Sequence, residues 1–476
     1  MEGDGPIADV PFNGLARGVN DHAAVLYVHG MGDTPSNFDE NLIERGPRLG
    51  TWSPGIKEVE VLLPRPWVLR GEGLDCASQP DECVKTKFGR LRVRTFRIGD
   101  TRSVTLYSYY WHEDAQTIQK NYGLSCERDD DRCDKKEPHK WLMARLNRRL
   151  KDLVVVDGFS DATLYAGNVG ALMRAGLQAA ICMAIRHELS RSSTNENEFN
   201  SAVCRSRDLV PDPGDAERID RISKLDFRLV AKSLGSRMVF DTLLPTDEMD
   251  VLQSRLYAAD VADAVANGRQ PLTRFTAAAV KELLPHTPSE VSQSSDEELK
   301  EAYAGIQVKR ALTRSLGEVF LLANQLPLLG LSRIEATDFR GITARDSVYC
   351  VFVLQDPRCR ISPLLALTSG RDLRPADPDF LTFAREVRKE APKLRIVAFK
   401  DVNDLLGFRA HNHFSDGAND AADFVEVRHQ NAAVFLWLFA LPGSAHANED
   451  ARSDSAAMIW CGAIAKSNRN LSARDC

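Results

Sequence analysis

Apolar residues along this chain gather in short unbroken runs more often than in strict alternation. Residues 23–30 (AAVLYVHG) form one run that ends in a glycine-rich turn, and residues 103–111 (SVTLYSYYW) form another, rich in β-branched and aromatic side chains. Residues 226–232, 347–354 and 394–399 repeat the pattern, and a sixth strand is expected near 424–440. A strand with one wet face alternates, so runs apolar on both sides predict strands covered from above and below. Between the runs, apolar positions recur every third or fourth residue over 140–156, 163–189, 235–244, 308–326 and 378–390, which predicts helices. The stretch 163–189 reads as one long alanine-rich helix, and 308–326 stops at Pro327. Strands separated by helices predict the α/β class, with a mostly parallel central sheet flanked by helices.

A single domain over 18–476 is expected, with insertions at 60–100 and 246–306. The first holds Pro, Gly, Arg and a cysteine pair. The second is helical but polar and contains the break SEVSQSSDEE. It falls between strands on the side where βα connections emerge, so it reads either as a cap over a site or as peripheral decoration.

The chain has 476 residues, 43% of them hydrophobic, enough to bury a sizeable core and to set disorder aside. Lys+Arg number 61 against 67 Asp+Glu, a net charge of −6, which argues against nucleic-acid binding as the main role. Arg90, Arg92, Arg94 and Arg97 make a local basic stretch whose alternation reads as one solvated side of an extended segment. The longest apolar run, 432–442, is too short to cross a bilayer, and the start MEGDGPIADV lacks the basic and apolar regions of a signal peptide. Ten cysteines fall into neighbouring pairs: Cys76/Cys83, Cys126/Cys133, Cys182/Cys204, Cys350/Cys359 and Cys461/Cys476. Two pairs sit in polar loops, where a thiol used as a small apolar residue would not be placed, so short-range disulfides and a periplasmic or secreted setting are favoured over free thiols. None of these spacings is C-x-x-C, and zinc is not expected.

Four segments carry chemistry. Residues 227–240 run from a strand through Ser233 into a helix, a G-x-S-x-G elbow with Ala231 in place of the first glycine. Small residues are needed there because the serine occupies a strained turn against a neighbouring strand and helix. Residues 27–33 (YVHGMGD) follow the first strand, and the N–H of Met31 joins that of Leu234 as a candidate oxyanion hole. His29 belongs to that turn and is expected to hydrogen-bond locally, not to act as a base. Residues 398–406 (AFKDVNDLL) end the 394–399 strand and offer Asp404, with Asp401 as the alternative, to orient an imidazole. Residues 441–446 (LPGSAH) bring His446 as general base and then general acid. The plainer roles are a helix cap for Ser233 and loop capping for the aspartates. His411 and His413, with Asp416, Asp420 and Asp423, form a rival cluster that reads as a solvated acidic loop with no metal.

These segments resemble the α/β-hydrolase superfamily, and within it a bacterial esterase- and lipase-like group with a V-H-G-x-G start, an S-L-G-S-R elbow, a D-x-N-D-L-L acid segment and a late S-A-H histidine. Residues 323–329 (ANQLPLL) are similar to that group as well. The resemblance covers about 23–31, 225–245, 310–360 and 394–466. It implies the α/β-hydrolase fold, a Ser233–His446–Asp404 triad acting on a small-molecule or lipid ester or thioester, and neither metal nor diffusible cofactor. Acyl transfer by the same triad and a catalytically inactive interaction protein are the alternatives. Lys232 departs from the group, where histidine is common before the nucleophile.

Overall fold

The computed structural model describes residues 7–8, 10–16, 19, 21–32, 34–44, 50–53, 55–63, 87–121, 160–167, 169–191, 203–211, 215–244, 253, 256–257, 296–323, 387–388, 393–401, 422–429 and 453–463. Strands among these are β1 (Ile7–Ala8), β2 (Phe12–Asn13), β3 (His22–Val28), β4 (Gly50–Trp52), β5 (Lys57–Leu62), β6 (Lys87–Ile98), β7 (Arg102–Tyr110), β8 (Phe227–Lys232), β9 (Leu316–Leu322), β10 (Leu394–Asp401), β11 (Ala422–His429) and β12 (Gly462–Ala463). Helices are α1 (Glu40–Glu44), α2 (His112–Asn121), α3 (Ser160–Ala166), α4 (Val169–Ser190), α5 (Ser206–Leu209), α6 (Ala216–Ser223), α7 (Leu234–Leu243), α8 (Asp296–Ser315) and α9 (Ser453–Cys461).

The main sheet has the order β1-β11-β10-β9-β8-β3-β7-β6-β4, with β5 also pairing β6. From β7 through β3, β8, β9 and β10 to β11 every pairing is parallel, while β1, β4, β5 and β6 join antiparallel at the two sides. This is the α/β class with a mostly parallel sheet. Alternate residues of the strands feed two separate cores. Ala24, Leu26, Val28, Leu229, Ala231, Val319 and Leu321 face α4, α7 and α8. Val25, Tyr27, Val230, Phe320, Leu322, Val397 and Phe399 face Phe12, Leu15, Leu42 and the α9 side chains Met458, Ile459 and Trp460. Both faces are covered, which explains why the strand sequences show runs without alternation.

The segment 308–326 departs from the expected helix. Helix α8 ends at Ser315 and the chain turns directly into β9, which lies between β8 and β10 in the sheet. A short apolar run such as VFLL has the same composition in a buried strand as in a buried helix, so spacing alone misleads. The Arg388 guanidinium marks the true end: its Nη1 donates to the carbonyls of Thr313 (2.8 Å), Arg314 (3.2 Å) and Leu316 (2.6 Å), satisfying acceptors a terminated helix leaves open. The long helix expected over 163–189 is two helices, α3 and α4, parted at Gly167. Helix α4 is long and apolar enough to cross a membrane by length and composition, where no such segment is expected from the sequence, and 78% of its most apolar window is buried inside the fold. Gly176 lets α4 settle on the sheet, since a Cβ there would lie 2.3 Å from the Tyr109 hydroxyl.

Lys87–Ile98, inside the 60–100 stretch read as an insertion, is a strand of the main sheet, and α8 begins inside 246–306 and packs on α5 and α6. Three of the four arginines of β6 are paired: Arg92 binds Glu58 and the buried Asp39, Arg90 binds Glu58 and Glu113, and Arg94 faces Glu40. The expected strand 347–354, the helix 140–156, all of 378–390 but residues 387–388, and the part of 424–440 beyond residue 429 lie outside the described residues. Of the five cysteine pairs, Cys182–Cys204 is a disulfide joining α4 to the segment before α5, and Cys461 is also disulfide-bonded.

Candidate active site

Chain order along the sheet changes direction between β3 and β8: the chain leaves β3 toward β7 and later returns to β8 on the other side. In open α/β sheets the crevice at the carboxyl ends of two such strands is where ligands bind. Here the two chain ends meeting at that crevice are His29-Gly30-Met31-Gly32 after β3 and Ser233 after β8.

Ser233 joins β8 to α7 with φ 52° and ψ −121°. Ala323, at φ 50°, is the one other non-glycine residue of positive φ among the described residues, and it directly follows the neighbouring strand β9. Such a conformation costs about 1–3 kcal/mol in an ordinary side chain and persists where the surroundings over-determine it. The surroundings are visible. The Ser233 N–H donates to the Leu322 carbonyl at 2.7 Å, and the Ser233 carbonyl accepts from the Ser236 N–H at 3.0 Å. The Ser236 hydroxyl donates back to the Ala231 carbonyl at 3.1 Å, bridging the elbow from helix to strand. Gly235 fits because a Cβ there would lie 2.5 Å from the His29 carbonyl oxygen. Ser233 stands at the N-cap of α7 yet makes no side-chain capping hydrogen bond, so the plain capping role does not account for it.

The turn after β3 is built around His29, which is 1% exposed. The Trp111 N–H donates to Nε2 at 3.0 Å, so that nitrogen is unprotonated, and Nδ1–H donates to the Gly30 carbonyl at 2.6 Å. The ring stacks on Trp111 with centroids 4.7 Å apart. Burial holds its pKa well below the usual histidine value, so His29 is a neutral strut and not a base, as its place in the turn suggested. Gly30 lies flush against the serine. Met31 is half-buried against the core, and Gly32 has φ 95°.

A second group supports the same turn. Asp161, at the start of α3, is fully buried. Its Oδ2 accepts from the Gly32 N–H at 3.0 Å, its Oδ1 accepts from Gln119 Nε2 at 2.6 Å, and His112 Nδ1 lies 3.9 Å away. Burial pushes its pKa up to about 7 against the pull of the two hydrogen bonds. No local pattern marks Asp161 or Gln119 in the sequence. Trp111 and His112 carried one signal: they directly follow a core strand at its carboxyl end.

Gly30, the neighbour of Met31, lies against Ser233, and Gly235 of the elbow lies against the His29 carbonyl. Asp401, the alternative acid, is fully buried as the last residue of β10, in register with His429 at the end of β11. Asp404 and His446 lie outside the described residues, as do His411, His413, Asp416 and Asp420, while Asp423 is exposed on β11. Among the described residues no cluster of three potential metal ligands occurs. The chain matches no protein-family model, no curated protein and no solved structure.

Proposed function

We propose that this chain is a serine hydrolase of the α/β-hydrolase fold, cleaving carboxylic esters through an acyl-enzyme. One observation carries the reading: Ser233 is held in a left-handed elbow between a central strand and a helix, at the sheet's change of direction, against the glycine of an H-G-x-G turn.

In this mechanism the Ser233 oxygen attacks the ester carbonyl while His446 takes its proton. The carbonyl oxygen becomes an oxyanion facing the N–H groups of Met31 and Leu234, the latter at the positive end of α7. Collapse breaks the bond to the alcohol oxygen, which receives the proton from His446, and water repeats the sequence to free the acid. Asp404 orients the imidazole and offsets its charge. No cofactor enters any of these steps.

A fluorophosphonate probe tests the assignment. Mass mapping should find the adduct on Ser233, and Ser233→Ala should abolish both labelling and p-nitrophenyl ester cleavage. Asp404→Ala and His446→Ala should each lower kcat by about 10⁴-fold. An unlabelled serine, with the alanine variant as active as its parent, would overturn the assignment.

A further inference from the structure

We propose that Asp161 is a positioning residue for the oxyanion-binding turn, its carboxylate fixing the Met31–Gly32 peptide plane next to the plane that His29 holds and that carries the Met31 N–H. The inference rests on the hydrolase reading and deepens it.

A peptide unit is rigid and planar, so holding its oxygen fixes the direction of its N–H. The Gly30 carbonyl and the Met31 N–H belong to one unit, and His29 Nδ1 holds that oxygen at 2.6 Å. The next unit joins the Met31 carbonyl to the Gly32 N–H, and Asp161 holds that N–H at 3.0 Å. The two planes that meet at Met31 are thus each held by one buried side chain. Anchoring is needed because glycines on both sides of Met31 give the turn little conformational preference of its own, and Gly32 already sits at φ 95°. Asp161 reaches the turn from α3, and Gln119 of α2 steers it by donating to the other carboxylate oxygen at 2.6 Å.

Both neighbours of the carboxylate are donors. The ionised form satisfies the two together, whereas a protonated carboxyl would turn an O–H toward one of them. The titratable groups facing it are His112 on α2, 3.9 Å away, and beyond that His29 in the turn, itself neutral. The turn is therefore best held when Asp161 is ionised and loosens as pH falls through about 7, the value to which burial raises this carboxyl.

The experiment compares the full-length protein with Asp161→Asn and Gln119→Leu. It reads kcat and KM for a p-nitrophenyl ester from pH 5 to 9, and affinity for a trifluoromethyl ketone that forms an oxyanion adduct with Ser233. Asn presents a donor to one of the two donors and so mimics the protonated acid at every pH. It should lower kcat by roughly 10- to 100-fold with KM unchanged, and weaken the ketone by a similar factor. The acid limb of kcat in the parent should be steeper than one proton, since Asp161 and the triad histidine must both be deprotonated, and in the variant it should fall to one. Gln119→Leu keeps the carboxylate but removes a donor that stabilises it, which moves the acid limb to higher pH. That shift decides the matter should Asp161→Asn fail to fold. A parent that turns over, with Asp161→Asn equal to it in kcat and ketone affinity, or an acid limb unmoved in Gln119→Leu, would overturn the positioning role alone. A parent that neither labels nor turns over would remove the hydrolase reading and this role with it.

Discussion

The backbone of Gly30 touches the side chain of Ser233: a Cβ on Gly30 would lie 2.7 Å from the Ser233 Cβ and 3.4 Å from its Oγ. Real Cβ atoms do not approach to the shorter distance, so either the turn or the serine must move. Gly30→Ala should therefore cost about 1–3 kcal/mol of stability as overpacking and lower kcat/KM by about 10²-fold through misplacement. Thermal melts and ester kinetics read the two effects. Parental kinetics in a folded variant would show that the contact is not part of the working site.

The strain at Ser233 should be measurable on its own. Glycine adopts the observed φ 52° freely and alanine does not. Ser233→Gly should be more stable than Ser233→Ala by about 1 kcal/mol, with both variants inactive. Equal melting temperatures for the two would mean that the elbow relaxes in solution.

His29 links folding to pH. Its folded pKa lies below its unfolded value of about 6.5, because burial disfavours the cation. The unfolded chain takes up a proton first, so the stability due to neutral His29 is whole above about 6.5 and is lost as pH falls below it. His29→Asn has no such proton to gain. The stability gap between parent and variant should narrow from pH 7 toward pH 5, as followed by urea unfolding. A gap constant over that range would refute the linkage.

The Cys182–Cys204 bridge spans 22 residues of sequence. A loop of that size constrains the unfolded chain by about 3 kcal/mol in the chain-entropy account. Cys182→Ala/Cys204→Ala should lose about that much, seen as a lower urea midpoint with the slope nearly kept. Ser233 labelling should survive, because the bridge joins α4 to the segment before α5 and belongs to neither the elbow nor the turn after β3.

Much of this architecture could be read from the chain, and the reasons are local. Residues 23–28 and 227–231 are each buried on both faces, so their composition announces a strand wherever they pack. Ser233 and Gly235 reveal themselves because a tight elbow admits few residue types. Leu316–Leu322 was hidden by the helix that runs straight into it, with only Gly317, already inside the strand, to mark the change of pattern. Asp161 was invisible for a different reason. Its meaning depends on Gly32, 129 positions away, and a carboxylate on a short helix looks like any surface acid until the turn is seen to rest on it.

The small ribbon of β2 and β12 has a consequence for the order of assembly. Phe12–Asn13 pairs with Gly462–Ala463, and the N–H groups of Leu15 and Ala16 donate to the carbonyls of Ile459 and Trp460. Strand β2 thus waits for β12, far along the chain, and until α9 and β12 arrive Val25, Phe320 and Phe399 lack the cover of α9. A nascent chain stopped before residue 453 should carry a sticky, half-dressed sheet, bind a hydrophobic dye and call on chaperones, whereas a chain that extends past residue 463 covers that face with α9.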